Sequence, residues 1–366
     1  MTESTSAPLP SSPVLPSLTD LPVDGFTVLA TLPGARPFHA ASVRRWLYAR
    51  GVTTVDAMTD LPKDFRAALA TRYRLRSTKL ALVRDSDDGT QKLLIDLGDG
   101  QTIESVLIPE ADRTTLCMST QVGCGVRCAF CASGMLGVVR NLTPGEMVEQ
   151  FLWARETLAR SGRELTHVVV MGGGEPLNNF DNLKIALDTL NHKDGLFFGA
   201  RRITVSTIGI PSKIDHMEEL GKQVNLAVSL HAPNEELRGR LIPGLDRVPL
   251  SDVLAAARRY FERTGREITF EYVVLKGVND APEHARELVR LLRGMRGKVN
   301  LIPWNPVGDL PFQKPERDAV DTFAMILDEG GIKNTVRRPR GRDIDAACGQ
   351  LRRRYPTGEA LRQRQE

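Results

Sequence analysis

From Thr114 onward, short apolar runs alternate with stretches whose apolar positions recur at helical spacing. The runs are Thr114–Ser119, Thr166–Met171, Arg202–Ser206, Val224–Leu230, Glu267–Val274, Lys298–Ile302 and, more weakly, Lys333–Arg337; the helical periods fall near 144–160, 181–191, 250–264, 282–294 and 316–328. Strand, helix, strand repeated in this way requires crossover connections and hence a parallel sheet. About six such units predict an α/β fold, an incomplete (β/α)6 barrel, more economically than two doubly wound halves. There is no internal repeat.

Ahead of that alternation the pattern changes twice. Residues 1–25 are rich in Ser, Thr and Pro and lack periodicity, which predicts a disordered tail. Residues 26–78 carry two short helical stripes, one with Val43, Trp46 and Leu47 that stops at Gly51 and one with Phe65, Leu69 and Tyr73. Residues 79–112 read as a short β extension with turns at Asp87-Asp88-Gly89 and Gly98-Asp99-Gly100. A core at 113–350 and a basic C-terminal tail at 351–366 complete the division. The polar faces of the helical module hold Arg36, Arg44, Arg45, Arg50, Lys63, Arg66, Arg72, Arg74, Arg76 and Lys79. That density suits an accessory domain following an RNA backbone, and equally a solvated helix face.

Composition adds bounds rather than direction. A chain of 366 residues, 41% hydrophobic and 26% charged, can bury a large core. It has no run of about 18 apolar residues and no signal-peptide pattern, so a soluble cytoplasmic protein with no membrane partner, and a monomer, are expected. The net charge of +4 lends only weak support to a nucleic-acid partner.

The cysteines change the picture. Four of the five, Cys117, Cys124, Cys128 and Cys131, crowd into one segment, unlike a disulfide framework. Cys124, Cys128 and Cys131 can wrap one inorganic centre. A four-iron cluster held by three cysteines would keep one iron open to a ligand, whereas a zinc site would have to be completed by Cys117. Met171-Gly172-Gly173-Gly174-Glu175-Pro176 follows a strand and precedes a helix, so it is either a tight turn or a loop whose backbone meets a ligand. Ser206-Thr207, Ser229-Leu230-His231 and Trp304-Asn305-Pro306 also end apolar strands, as strand caps or as part of a site at the barrel mouth. Cys348 stands alone between Ala347 and Gly349 in an arginine-rich loop, where Arg340 and Arg342 would favour its thiolate.

The C-x3-C-x2-C spacing resembles the radical S-adenosylmethionine (SAM) superfamily, and the Gly-Gly-Gly-Glu-Pro loop resembles that superfamily's SAM-ammonium motif. Adding Asn225–Asn234 (NLAVSLHAPN), Glu271–Asp280 (EYVVLKGVND), Asn300–Pro306 (NLIPWNP) and Asp343–Leu351 (DIDAACGQL), the chain resembles the RlmN/Cfr family of RNA adenosine methyltransferases from about Trp46 to Leu351. The resemblance implies one [4Fe-4S] cluster on Cys124, Cys128 and Cys131, exchangeable SAM on the open iron, and two SAM per turnover. It implies a SAM site of Gly174, Glu175, Ser206, Ser229, Leu230, His231 and Asn305. In the implied route Cys348 is first methylated by SAM, a hydrogen is then taken from its methyl group, and the carbon radical adds to the ring. Cys117 resolves the adduct as a disulfide with Cys348, and Glu104 falls where the family places a proton acceptor. Partners implied are 23S ribosomal RNA near the peptidyl transferase centre, tRNA beside the anticodon, and a reductant such as flavodoxin or ferredoxin. The Ile302–Pro306, His231–Asn234 and Asp343–Leu351 strings favour the C2-methylating branch, while Ser206–Gly209 and Gly123–Gly125 look like the C8 branch linked to ribosomal antibiotic resistance. The remaining rivals are a radical SAM enzyme on a non-RNA substrate and a zinc-stabilised RNA-binding protein. One departure stands out: where the family commonly has Gly-Met-Gly-Glu-Pro, this chain has Gly173 in place of Met.

Overall fold

The computed structural model describes residues 15–135, 137–220, 223–245, 248–308, 310–337 and 340–344. Twelve strands are described: β1 (Lys79–Asp85), β2 (Gln91–Asp96), β3 (Thr102–Pro109), β4 (Thr114–Cys117), β5 (Gln121–Gly123), β6 (Val138–Asn141), β7 (His167–Val170), β8 (Ile203–Thr207), β9 (Asn225–Ser229), β10 (Ile268–Val274), β11 (Gly297–Pro303) and β12 (Asn334–Val336). Ten form one sheet in the order β1-β2-β3-β4-β7-β8-β9-β10-β11-β12. From β4 to β12 every pairing is parallel, with neighbours consecutive around the sheet. β1, β2, β3 and β4 pair antiparallel, so the β extension continues the core sheet rather than standing beside it. Among the described residues β1 and β12 are its two edges, so the sheet is open, as the incomplete barrel expected from the alternation would be.

The long crossover helices lie where the periodicity puts them: Pro144–Ala159, Phe180–Asn191, Leu250–Thr264, Pro282–Leu291 and Arg317–Glu329. Pro144–Ala159 begins with a reciprocal cap, Thr143 accepting from the Glu146 N–H while Glu146 accepts from that of Thr143. Helices Pro211–His216 and Glu235–Leu241 are too short for the periodicity to reveal.

The N-terminal region departs from expectation in its limits. Leu18, Thr19 and Val23 are buried in short helical turns at Leu18–Asp20 and Val23–Thr31, so the tail expected to run to residue 25 is already packed by then; residues 1–14 and 351–366 lie outside the described residues. The two predicted helical stripes are His39–Arg44, continuing as a widened turn at Arg45–Ala49, and Lys63–Arg72. Phe26, Leu47, Phe65 and Leu69 join the same apolar core as Met147, Val148 and Leu152 of helix Pro144–Ala159. The fastening is polar as well. Fully buried Glu149 accepts from Thr19 Oγ1 at 2.5 Å, Thr78 Oγ1 at 2.6 Å and the N–H groups of Ser77 and Thr78 at 2.7 Å each.

Candidate active site

A cavity of about 560 Å³ opens where the parallel strands end. Cys117 faces it from the end of β4, between Val106 of β3 and Val169 of β7, and is 9% exposed. The cysteine loop does not leave β4 directly; β5 and β6 form a hairpin that carries it. Three backbone hydrogen bonds shape the loop: Cys124 N–H to Gly137 C=O at 2.8 Å, Ala129 N–H to Leu241 C=O at 2.9 Å, and Cys131 N–H to Cys128 C=O at 3.1 Å. Arg127 takes a positive φ of 60° at its centre. Gly134 packs close behind it, where a Cβ would lie 3.0 Å from Arg127 Cα.

Cys124, Cys128 and Cys131 all line the cavity as free thiols. Burial pushes the Cys128 thiol up, and the nearby Cys131, Cys124 and Glu175 push it further; burial likewise raises Cys124 and Cys131. Thiols so placed ionise only beside strong positive charge, which iron supplies. The three thiols come from one short loop and share one cavity wall. A four-iron cluster takes each thiolate on a different iron, so its sulfurs stand apart. The loop therefore fits a cluster.

The glycine loop faces the cysteines. Gly174 has φ +105°, and a Cβ there would meet Gln121 Cβ at 2.6 Å, so only glycine serves. At Gly173 a Cβ would stand 3.4 Å from Ser119 Oγ and the Gln121 carbonyl. The glycine that departs from the family pattern is thus not demanded by the backbone as Gly174 is. Glu175 is 3% exposed and accepts from the N–H groups of Leu177 at 3.1 Å and Ile208 at 2.9 Å. Burial nevertheless pushes its carboxyl up to about 7. A cavity carboxylate raised in this way gains most from a cation, as the SAM ammonium would be.

The strand ends converge as anticipated for a barrel mouth. Ser206 of β8 and Ser229 of β9 place their hydroxyls 3.4 Å apart, and Asn305 lies beyond the end of β11 on the same cavity. His231 adopts φ 59°, takes the Val273 N–H on Nδ1 at 3.0 Å and packs edge-on against Phe130 at 4.8 Å between centroids. Burial, with Arg238 adding to it, pulls its pKa down to about 3, so the ring is neutral. Leu230 differs: its side chain is in the core and does not line the cavity.

Glu104, the position implied as proton acceptor, sits in the interior. It is 8% exposed, with the ammonium of fully buried Lys92 at 4.0 Å, and lies in β3 two residues from cavity-lining Val106 without lining the cavity itself. Cys348 lies outside the described residues, as does any disulfide it forms with Cys117. Glu271, which sequence reasoning missed, lines the cavity while buried and accepts from Asn300 at 2.7 Å. Its signal was a charged residue interrupting the apolar run of β10. Gln121, which holds the Glu175 N–H at 2.9 Å, gave no such signal.

Several arginines expected on an RNA face are engaged within the protein instead. Arg76 pairs with Glu156 at 2.5 Å and stacks on Trp153, Arg66 donates to the Asp56 carbonyl at 2.9 Å, and Arg44 donates to the Val23 carbonyl at 3.3 Å. Arg36, Arg50, Lys63, Arg72 and Lys79 are exposed.

Residues 118–292 match the radical SAM superfamily, and residues 17–75 match the ribosomal RNA large subunit methyltransferase N-terminal domain. The chain is 47% identical to a probable dual-specificity RNA methyltransferase RlmN of Rhodopirellula baltica, over 87% of this chain and 86% of that one. It is 46% identical to the dual-specificity RNA methyltransferase RlmN of Anaeromyxobacter dehalogenans, over 92% and 91%. The crystal structure of a radical SAM methyltransferase from Sphaerobacter thermophilus superposes with a TM-score of 0.89 at 47% identity, over 92% of this chain and 98% of that one. With both its helical module and its cysteine-bearing core matched, and its relatives aligned over nearly their full length, the chain belongs to the RlmN family of radical SAM RNA methyltransferases.

Proposed function

We propose that this chain methylates C2 of adenosine in 23S ribosomal RNA and in tRNA through an S-methylcysteine at Cys348. One observation carries the reading: Cys117, the three loop cysteines, Glu175 and the polar strand ends all face a single cavity. When bound, the cluster and SAM supply the one-electron cleavage that makes an unreactive carbon attackable. Cys124, Cys128 and Cys131 would each hold one iron of the cluster. Glu175 receives the SAM ammonium, with Gly174, Ser206, Ser229, His231, Asn305 and the main chain of Leu230 fixing its orientation. Cys348 carries the methyl group, Cys117 closes a disulfide on it to release the product, and Glu104 acts as proton acceptor with Lys92 beside it. Two SAM are consumed per turnover, a flavodoxin or ferredoxin delivers electrons, and the enzyme works as a cytoplasmic monomer. Residues 26–78 form the RNA-binding accessory domain, 79–112 the extension and 113–350 the catalytic core.

Nucleosides from cells with and without the gene, compared by mass spectrometry, are expected to differ in 2-methyladenosine. A difference in 8-methyladenosine alone, or none, overturns the reading. Protein isolated without oxygen should hold about four irons per chain; colourless protein with one zinc contradicts it. For the RNA face, Arg36→Glu, Lys63→Glu and Arg72→Glu together are expected to weaken RNA binding and to reduce its salt dependence by roughly 0.7 to 0.9 in log–log slope for each phosphate no longer neutralised. Unchanged affinity at low salt would remove this face from the interface.

A further inference from the structure

The turn between β1 and β2 grips the segment leading to Cys348. Ser86 Oγ and the Asp87 N–H donate to the Asp343 carboxylate at 2.5 and 3.1 Å, and the Gly341 N–H donates back to Asp88 at 2.9 Å. Asp88 is braced from within the turn by the Thr90 N–H at 3.0 Å, and the Ser86 N–H donates to the Thr90 carbonyl at 2.8 Å. Burial pushes the Asp88 carboxyl up, but the Gly341 N–H and the donors of Thr90 and Ser86 outweigh it and bring it down to about 2, so it is a carboxylate at working pH. These contacts join residues up to 257 positions apart, and both Thr90 and Arg340 line the cavity that holds the cysteines. Ile344, next along the chain, is buried.

We infer that the β1–β2 turn is a positioning element for the methyl-carrying cysteine, with Ser86, Asp88 and Asp343 anchoring the chain shortly before it. The inference rests on the role given to Cys348 above. Cys348 is five residues beyond Asp343, and five residues reach at most about 18 Å. Without the grip, the preceding backbone anchor is Arg337, whose N–H donates to the Leu301 carbonyl at 2.8 Å. That lies eleven residues before Cys348. Moving the last anchor from five to eleven residues before a tethered group lowers that group's local concentration about threefold, before any loss of orientation.

The test compares full-length wild type with Ser86→Ala/Asp88→Ala, with Asp343→Asn at its exposed site, and with Ser86→Thr, which keeps the hydroxyl. All are reconstituted with iron and sulfide without oxygen. Expected are unchanged iron content and melting, a rate of Cys348 methylation by SAM reduced about threefold or more, and more 5′-deoxyadenosine released per methyladenosine formed. Ser86→Thr should restore both. Wild-type methylation rates in Ser86→Ala/Asp88→Ala and Asp343→Asn overturn the inference. Absence of methyl on Cys348 in the wild type itself overturns instead the methyl-carrier role, and this inference with it.

Discussion

Replacing Cys117 by alanine is expected to leave the protein covalently joined to its RNA. In the proposed route the bond between the Cys348 methyl carbon and the adenine ring forms before Cys117 acts, so Cys117→Ala removes only the sulfur that would attack Cys348 and release the product. Cys117 ends β4 with its side chain on the cavity wall, and truncation there takes away one sulfur without disturbing the register with β3 and β7. The fold should therefore survive and the adduct accumulate towards one per chain. A denaturing gel of protein incubated with SAM, reductant and RNA reads it directly. Free, fully methylated RNA and no slow-migrating protein would show that another group resolves the intermediate.

The second large effect concerns stability. Glu149→Ala should cost about 3 kcal/mol or more, because the Ser77 and Thr78 N–H groups and the hydroxyls of Thr19 and Thr78 lose a buried acceptor together. The pH dependence has a definite sign. Burial raises the Glu149 carboxyl above the usual carboxylate range despite those hydrogen bonds. Between about 4.5 and its folded value the native state therefore holds a proton that the unfolded chain has lost, and stability falls as pH rises through that window. Denaturant melts of wild type and variant across the window test both points. The variant should be less stable throughout, and its curve should lack the wild type's fall. Parallel curves would mean that Glu149 is ionised in both states.

Much of this molecule is local in origin. The boundaries of the long crossover helices, the alternation of strands with helices and the spacing of Cys124, Cys128 and Cys131 each depend on residues within a few positions of one another, and a single stretch of sequence therefore shows them. Failures occurred where one residue's environment is made by a distant segment. Leu18 and Val23 sit in a Pro- and Ser-rich stretch yet are buried. Arg76 reads as a phosphate contact but is claimed by Glu156 and Trp153. Glu104 stands alone as a charge in its strand's sequence but shares its interior with Lys92.

Alone, then, the sequence determined the alternating α/β architecture, the close cysteine spacing and the resemblance to the family, because periodicity and close spacing survive without knowledge of the fold. Only the tertiary structure decided that Cys117, Glu175, Ser206, Ser229 and His231 share one cavity, that the cysteine loop rides on a separate hairpin, that Glu149 fastens the helical module to the core, and that a turn near residue 88 holds the loop near residue 343. Those facts depend on chain closure over long separations, where a hydrogen bond's partner is chosen by packing and no residue carries a mark of what it will meet.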